Sequence, residues 1–194
     1  FFTIFYVPIV PIIIFIFKKD FLHWSVWPSV ILCLIGGYLL TNFQDATVRL
    51  GDALVVLGAL FWSTHIIFTG MIVKKYNLPL TIGATQTLLV ALFSFIMVLF
   101  SEEFVLDNIL NEIDSILYAG ILSGGFAFVL QIYAQRNITP APAAIIFSLE
   151  GVFATIAAWF ILNQILGINN LLGCFFILSG VLLSQLVPLI KKTV

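Results

Sequence analysis

Few residues of this chain could carry acid–base chemistry, and two of them lie inside long apolar stretches. Glu150 follows Pro142 by about two helical turns, and His65 lies among aromatic and aliphatic residues. If these stretches cross a bilayer, a charge at the centre costs about 3 kcal/mol, so the group must face protein, water or a partner. Glu150 is therefore either a substrate- or proton-binding group or a packing carboxyl that is hydrogen-bonded to a neighbouring helix.

Trp62, His65 and Thr69 share one helical face, because they are three and four residues apart. This face either lines a pocket or packs within a helix bundle. A histidine titrates near neutral pH, so His65 is also a candidate proton acceptor. Trp62 is a candidate contact for a solute.

Gln86 and Gln131 place amide groups inside apolar stretches. Each is a candidate substrate contact, and hydrogen bonding between helices is the alternative. Cys33 and Cys174 also lie inside such stretches, with no CxxC motif and no neighbouring His/Cys cluster. The sequence therefore predicts buried free thiols, no metal site and no cofactor.

Seven apolar stretches must position these side chains. The chain is 62% hydrophobic and 9% charged, more apolar than a soluble domain of this size. Six of the stretches have at least ~20 residues, enough to cross a bilayer core of roughly 30 Å. The sequence predicts an all-α integral membrane protein with seven transmembrane helices, which occupy Phe1–Phe17, Phe21–Leu40, Gly51–Val73, Leu78–Phe100, Ser115–Gln135, Ala141–Leu162 and Gly167–Ile190.

The basic residues orient the chain. If each stretch crosses, Arg49 falls on one side and the other seven basic residues fall together on the other. These seven are Lys18, Lys19, Lys74, Lys75, Arg136, Lys191 and Lys192. Because the Lys/Arg-rich side of a membrane protein is cytoplasmic, we expect a cytoplasmic C-terminus, in a bacterial inner membrane or a plasma membrane.

A weak internal repeat relates the two ends of the chain. A shift of 144 residues places the first two stretches on the last two. It aligns small residues, Ser29 with Gly173 and Gly36 with Gly180. It also aligns four identical residues: Ile12 with Ile156, Leu22 with Leu166, Leu34 with Leu178 and Leu39 with Leu183. Three stretches lie between, so the repeat unit has five. Two copies of an odd number of spans are inverted relative to each other. Residues 1–42 are then the last two helices of an N-terminal repeat, and residues 50–192 are a complete C-terminal repeat.

Small residues occur at helical spacing in two of the stretches. Gly120 and Gly124 form a G-xxx-G pair. Gly173 and Gly180 are seven residues apart and lie on one face of the last stretch. Small residues let the backbones of membrane helices approach closely. We therefore expect these glycines to lie at helix-packing seams.

Several short runs in the last third of the chain form a recognisable pattern. They are Gln131–Gln135, Pro140–Ala144, Ser148–Phe153, Leu172-Gly173 and Gly180–Leu182. With these runs in this order, the sequence resembles the EamA-type branch of the drug/metabolite transporter superfamily. By this resemblance the seven stretches correspond to spans four to ten of a ten-span protein. The family usually has proline after the glutamate, where Gly151 stands here, and Gly-Glu at the break that Asn163-Gln164 occupies here.

The resemblance implies two inverted five-helix halves around a central cavity, and export of small metabolites or drugs by alternating access. It implies as partners a small-molecule solute, the lipid bilayer and N-terminal helices that precede Phe1, with a homodimer left open. A net charge of −1 gives no indication of nucleic-acid binding. Two other functions stay open: an intramembrane enzyme that uses Glu150 and His65 as acid and base, and a structural homologue that does not transport.

Overall fold

The computed structural model describes residues 2–18, 22–41, 50–101 and 105–190. These residues are helical almost throughout, and within them no strand occurs. A 3₁₀ turn, Phe2–Phe5, opens the chain and a π-helix, Tyr118–Ala127, lies in its middle. The α-helices are α1 Tyr6–Lys18, α2 Val26–Leu40, α3 Leu50–Tyr76, α4 Pro79–Ser101, α5 Leu106–Asn111, α6 Ile113–Leu117, α7 Phe128–Ala134, α8 Pro140–Phe147, α9 Leu149–Ile161 and α10 Ile168–Ile190.

Within the part of the chain that the structure describes, five continuous helical segments are long and apolar enough to cross a membrane. They are Leu50–Tyr76, Pro79–Phe100, Ile113–Ala134, Pro140–Ile161 and Ile168–Ile190. Two shorter apolar helices, Thr3–Phe17 and Val26–Leu40, precede them. The chain is an all-α integral membrane protein, as the sequence predicts, whereas the count of seven spans stays a prediction.

The second apolar stretch forms a shorter helix than the sequence suggests. The helix begins at Val26, not near Phe21, because a turn precedes it. In this turn the Val26 N–H donates to the His23 carbonyl at 3.0 Å, and the Ser25 N–H donates to the His23 Nδ1 at 3.3 Å. At 1.5 Å per residue, the 15 residues of α2 span only about 22 Å.

The described residues divide into two compact units. The first unit comprises Phe1–Phe68 and Thr139–Val194, and the second comprises Thr69–Ile138. An apolar core holds the first unit together, with contributions from α1, α2, α3, α8, α9 and α10. Its most deeply buried side chains are Val7, Val10, Cys33, Ile66, Ile145 and Ile177.

Helices α2 and α10 pack with their backbones in direct contact. A methyl group added at Gly173 would lie 2.8 Å from the Gly36 carbonyl oxygen, and one added at Gly180 would lie 2.8 Å from the Ser29 carbonyl oxygen. Since residue numbers rise along α10 as they fall along α2, the two helices are antiparallel. Gly173 and Gly180 thus lie at a tight helix–helix contact of the first unit.

In the second unit a glycine also marks a helix contact. A methyl group added at Gly83 on α4 would lie 2.9 Å from the Val129 Cγ2 of α7 and 3.4 Å from the Ile132 Cδ1. The π-helix that precedes α7 is different. Within the described residues, nothing lies within 4 Å of a methyl group at Gly120, and Gly124 meets only the Ala119 carbonyl of its own helix, at 3.4 Å. A packing role for Gly120 and Gly124 stays a prediction.

The basic residues that the structure describes lie at helix ends. Lys74 and Lys75 are in the last turn of α3, and Arg136 follows α7. The Lys75 ammonium lies 5.1 Å from the centroid of the Tyr76 ring. Lys19, Arg49, Lys191 and Lys192 lie outside the described residues, so the cytoplasmic C-terminus stays a prediction.

Candidate functional site: a cavity beside Glu150

A cavity of about 190 Å³ lies inside the first unit, near the start of α1 and the end of α2. Four elements contribute to its wall: the 3₁₀ turn with α1, α2, the α8–α9 junction and α10. Its lining residues are Thr3, Ile4, Tyr6, Gly37, Leu40, Thr41, Ser148, Glu150, Gly151, Ala154 and Ile177. Glu150 is the one carboxylate among them.

A break between α8 and α9 positions Glu150. The helix tightens at Ser148, where the Ser148 N–H donates to the Ile145 carbonyl at 3.2 Å and the Gly151 N–H donates to the Ser148 carbonyl at 3.2 Å. Both are i→i−3 bonds, the pattern of a 3₁₀ turn. The Ser148 hydroxyl donates back to Ile145 at 2.6 Å and lies 3.4 Å from the Cys33 Sγ. These bonds hold the junction against α2 and place Glu150 in the first turn of α9.

The groups around Glu150 are hydroxyls and small apolar side chains. Tyr6 is buried to 6% exposure and lines the same cavity, whereas Glu150 itself is exposed to the cavity space. The Thr41 hydroxyl donates to the Gly37 carbonyl at 2.9 Å, so its remaining lone pairs can accept. This arrangement offers a carboxylate and hydroxyl oxygens to a solute that carries donor groups or a positive charge.

The two departures from the family pattern have a structural basis. Gly151 donates its N–H to Ser148, which proline could not do, and a methyl group there would lie 3.3 Å from the Leu40 Cδ1. Asn163 has φ 51°, the left-handed conformation that often ends a helix, and the Gln164 N–H donates to the Ala158 carbonyl at 3.2 Å. Asparagine adopts this conformation more readily than most residues, so it can replace glycine here.

Trp62 and His65 stack on each other. Their ring centroids are 5.0 Å apart and the planes differ by 4°. Trp62 also packs against the apolar core of the first unit. Neither side chain lines the cavity beside Glu150. Binding of a solute or proton by this pair stays a prediction.

Gln86 and Gln131 both belong to the second unit. The Gln86 Nε2 donates to the Thr69 hydroxyl at 3.2 Å. The Gln86 Oε1 and the Gln131 Nε2 are buried, and no described residue is a hydrogen-bond partner for either atom. Gln86 therefore makes one hydrogen bond of the kind that the packing alternative predicts. The Gln86 Oε1 can still accept a hydrogen bond, and the Gln131 Nε2 can still donate one.

Sequence reasoning missed three polar lining residues: Thr3, Tyr6 and Thr41. None stands out by type, because each lies at or near the end of an apolar stretch. The repeat contains a signal for one of them. A shift of 144 residues takes Tyr6 to Glu150, so the two positions are equivalent in the predicted halves.

The described helices thus place one carboxylate at a small cavity in an integral membrane protein. Comparison with known families identifies the class further. Residues 49–186 match the model of the EamA-like transporter family, and the chain belongs to this family.

Two of three similar proteins are described as uncharacterized transporters. The chain is 28% identical over 187 residues to an uncharacterized transporter of Archaeoglobus fulgidus, which covers 96% of the chain and 59% of the relative. It is 26% identical to the uncharacterized transporter YoaV of Bacillus subtilis (72% of the chain, 48% of the relative). A WAT1-related protein of Arabidopsis thaliana is also 26% identical (71% and 37%). The chain thus spans about half the length of these relatives. No solved structure matches the chain.

Proposed function

We propose that this chain is part of a secondary transporter that exports small organic solutes by alternating access. The observation that carries the proposal is the position of Glu150, whose carboxylate lines a cavity between apolar helices. In this proposal a gradient of protons or of the solute supplies the energy.

The contacts between α2 and α10 are compatible with an inverted repeat. The shift of 144 residues converts the contact of Gly36 with Gly173 into a contact of Gly180 with Ser29, and both contacts exist. It likewise converts the contact of Gly180 with Cys33 (2.9 Å) into that of Gly36 with Ile177 (2.6 Å). Any two closely packed antiparallel helices show such local two-fold reciprocity, and inverted repeats place their equivalent helices in this arrangement.

Glu150 would couple proton and solute by competition. An ionised carboxylate beside hydroxyl groups attracts a cationic or donor-rich solute, and protonation removes that attraction. A cavity of about 190 Å³ accommodates a small solute or part of a larger one. In the proposed orientation, α1 begins and α2 ends on the outer side, so the cavity opens outward and the solute leaves from it.

Family membership favours transport over the two alternatives. An intramembrane enzyme would need Glu150 and His65 to act on one reacting group, but His65 is not part of the cavity lining. A structural homologue would have no need for a carboxylate that faces a cavity. Both alternatives predict that solute flux is absent.

The substitution Glu150→Gln tests the proposal in the reconstituted full-length protein. We expect normal insertion but a loss of proton-coupled flux of at least about ten-fold, equivalent to ~1.4 kcal/mol in the transport barrier. The amide keeps the shape of the side chain and removes the charge. Flux is measured against pH in proteoliposomes with a panel of small cationic and neutral solutes.

Two variants complete the test. Glu112→Gln makes the same chemical change at an exposed position where the carboxylate accepts from Ser115 at 3.2 Å, and it should leave flux unchanged. His65→Ala should reduce flux less than Glu150→Gln does. An unchanged rate and pH profile in Glu150→Gln would show that the carboxylate is structural and would remove the proposed role.

A further inference from the structure

The connection between α9 and α10 differs from the other connections of the chain because it carries no charge. From Gly151 to Ile190 the sequence contains no Asp, Glu, Lys, Arg or His. Each of the other connections contains charged residues, among them Lys18, Asp45, Lys74, Glu102 and Arg136. A charged side chain is costly inside a bilayer, so charged loops stay in water. The uncharged α9–α10 loop is free to lie at the level of the lipid headgroups.

A groove of about 690 Å³ lies at this end of the hairpin, within the first unit. The side chains of Asn163 and Gln164 provide its amide groups. Its apolar wall includes Ile156, Trp159, Ile165 and Leu171. The volume falls in the range of roughly 300–1,000 Å³ that small-molecule sites occupy. The groove is therefore large enough for a ligand, and its lining is amphipathic, with amides in the loop and apolar side chains along the helices.

Exposed apolar side chains surround the groove. Ile165 is 95% exposed, and Phe160, Ile161 and Ile168, which are near it in sequence, are exposed as well. Such a cluster is unfavourable in water and favourable against acyl chains. Trp159 is also exposed, and tryptophan is enriched where a membrane meets water. The groove is thus continuous with the membrane-facing surface of the hairpin and lies at its boundary with water.

The loop also presents hydrogen-bond donors at this level. Among the described residues, no backbone carbonyl accepts from the N–H groups of Asn163, Ile165 and Leu166. The side-chain amides of Asn163 and Gln164 add further donors. Backbone donors at membrane level need acceptors, because a bare N–H group in hydrocarbon is costly. The phosphate and ester oxygens of a phospholipid are such acceptors, and they lie where its acyl chains begin.

We propose that this groove holds one phospholipid of the leaflet that the α9–α10 loop meets. An acyl chain lies against Ile156, Trp159 and Leu171, and the phosphate or ester oxygens accept from the amides of Asn163 and Gln164. In the predicted orientation this is the outer leaflet. None of the lining residues is charged, so the site accepts zwitterionic and anionic phospholipids alike. It shares no residue with the cavity beside Glu150 and does not depend on the proposed transport function.

Tryptophan fluorescence and intact-protein mass spectrometry test the site together. In a full-length variant that has Trp159 as its only tryptophan, phosphatidylcholine with brominated acyl chains is the quencher. The protein is reconstituted in this lipid and then returned to excess detergent, which replaces loosely held lipid. We expect Trp159 fluorescence to stay lower than in the same protein taken from unbrominated lipid. Mass spectrometry should show a single retained phosphatidylcholine.

Two variants and a matched control locate the lipid in the groove. Gln164→Glu keeps the shape of the side chain but places a negative charge beside the phosphate, so retained lipid should fall about ten-fold or more. Asn163→Gly removes an amide while allowing the left-handed backbone conformation, and it should also reduce retention. Asn169→Asp makes the same amide-to-carboxylate change in the first turn of α10, outside the groove lining, and should retain the lipid.

Four results would overturn the proposal. Quenching that is present in the bilayer and disappears in detergent would show that only exchangeable lipid meets Trp159. No quenching in the bilayer would show that another helix, or a second copy of the protein, covers the groove. Equal losses in Gln164→Glu and Asn169→Asp would remove the role of the groove amides. Retention of phosphatidylglycerol but not of phosphatidylcholine would contradict a site that lacks charge.

Discussion

Two glycine-containing regions of this chain look alike in sequence and differ in structure. On α10, Gly173 and Gly180 lie against the backbone of α2, and even one methyl group would meet a carbonyl oxygen at 2.8 Å. In the π-helix, no described atom lies within 4 Å of a methyl group at Gly120, and among the described residues one at Gly125 meets only the Gly120 carbonyl of its own helix, at 3.3 Å. Small residues at helical spacing thus permit close helix packing, and they also permit an unusual helix geometry. The motif alone does not distinguish the two.

The largest effect is expected at the contact of α2 with α10. Gly173→Ala places a methyl group against the Gly36 carbonyl, and backbone atoms cannot move away as a side chain can. We expect a loss of about 1–3 kcal/mol of stability, the usual cost of overpacking. The measurement is thermal unfolding of the detergent-solubilised full-length protein.

Gly58→Ala is the control for this prediction, because nothing lies within 4 Å of a methyl group at Gly58 among the described residues. It should leave the unfolding temperature unchanged or raise it slightly. Equal unfolding temperatures for Gly173→Ala and Gly58→Ala would contradict the tight contact.

An intermediate effect is expected in the second unit. Gly83→Ala brings a methyl group to 2.9 Å from the Val129 Cγ2, a branched side chain that is stiff but gives way more readily than a backbone carbonyl does. Alanine also gains up to ~1 kcal/mol of helix propensity over glycine. The two terms nearly cancel, so the unfolding temperature should change less than it does in Gly173→Ala. A larger loss than in Gly173→Ala would reverse the comparison.

The smallest effect is expected at Gly120. Gly120→Ala meets no described atom within 4 Å, so stability should be unchanged or higher by up to ~1 kcal/mol. The same unfolding experiment measures it. A clear loss of stability would indicate that a helix from another part of the protein, or from a second copy, packs on this face.

The membrane class and the family could be predicted from the sequence, because both depend on patterns that survive without coordinates. Long apolar stretches indicate segments that cross a bilayer, and the sequence runs around Ser148 and Gly180 indicate the family. Glu150 was a candidate because a carboxylate inside an apolar helix is costly. The residues that line the cavity with Glu150 were not candidates, because Thr3, Tyr6 and Thr41 are ordinary residue types at helix ends.

The local backbone geometry could not be predicted from the sequence. The late start of α2 depends on a turn around His23, and the wide turns of Tyr118–Ala127 have no simple sequence signal. The face of Trp62 and His65 was predicted correctly as a shared face, since the rings stack at a spacing of three residues. Whether that face meets a solute depends on tertiary neighbours, which periodicity does not specify.

The presence of one carboxylate in the cavity has an electrical consequence. Its equivalent in the predicted repeat is Tyr6, a phenol, so the paired positions bring one carboxylate and not two. If Glu150 exchanges one proton for one monovalent cationic solute, no net charge crosses the membrane in a cycle. A membrane potential contributes ~2.3 kcal/mol per elementary charge per 100 mV only when charge moves. Such a cycle would follow the pH difference across the membrane and be indifferent to voltage.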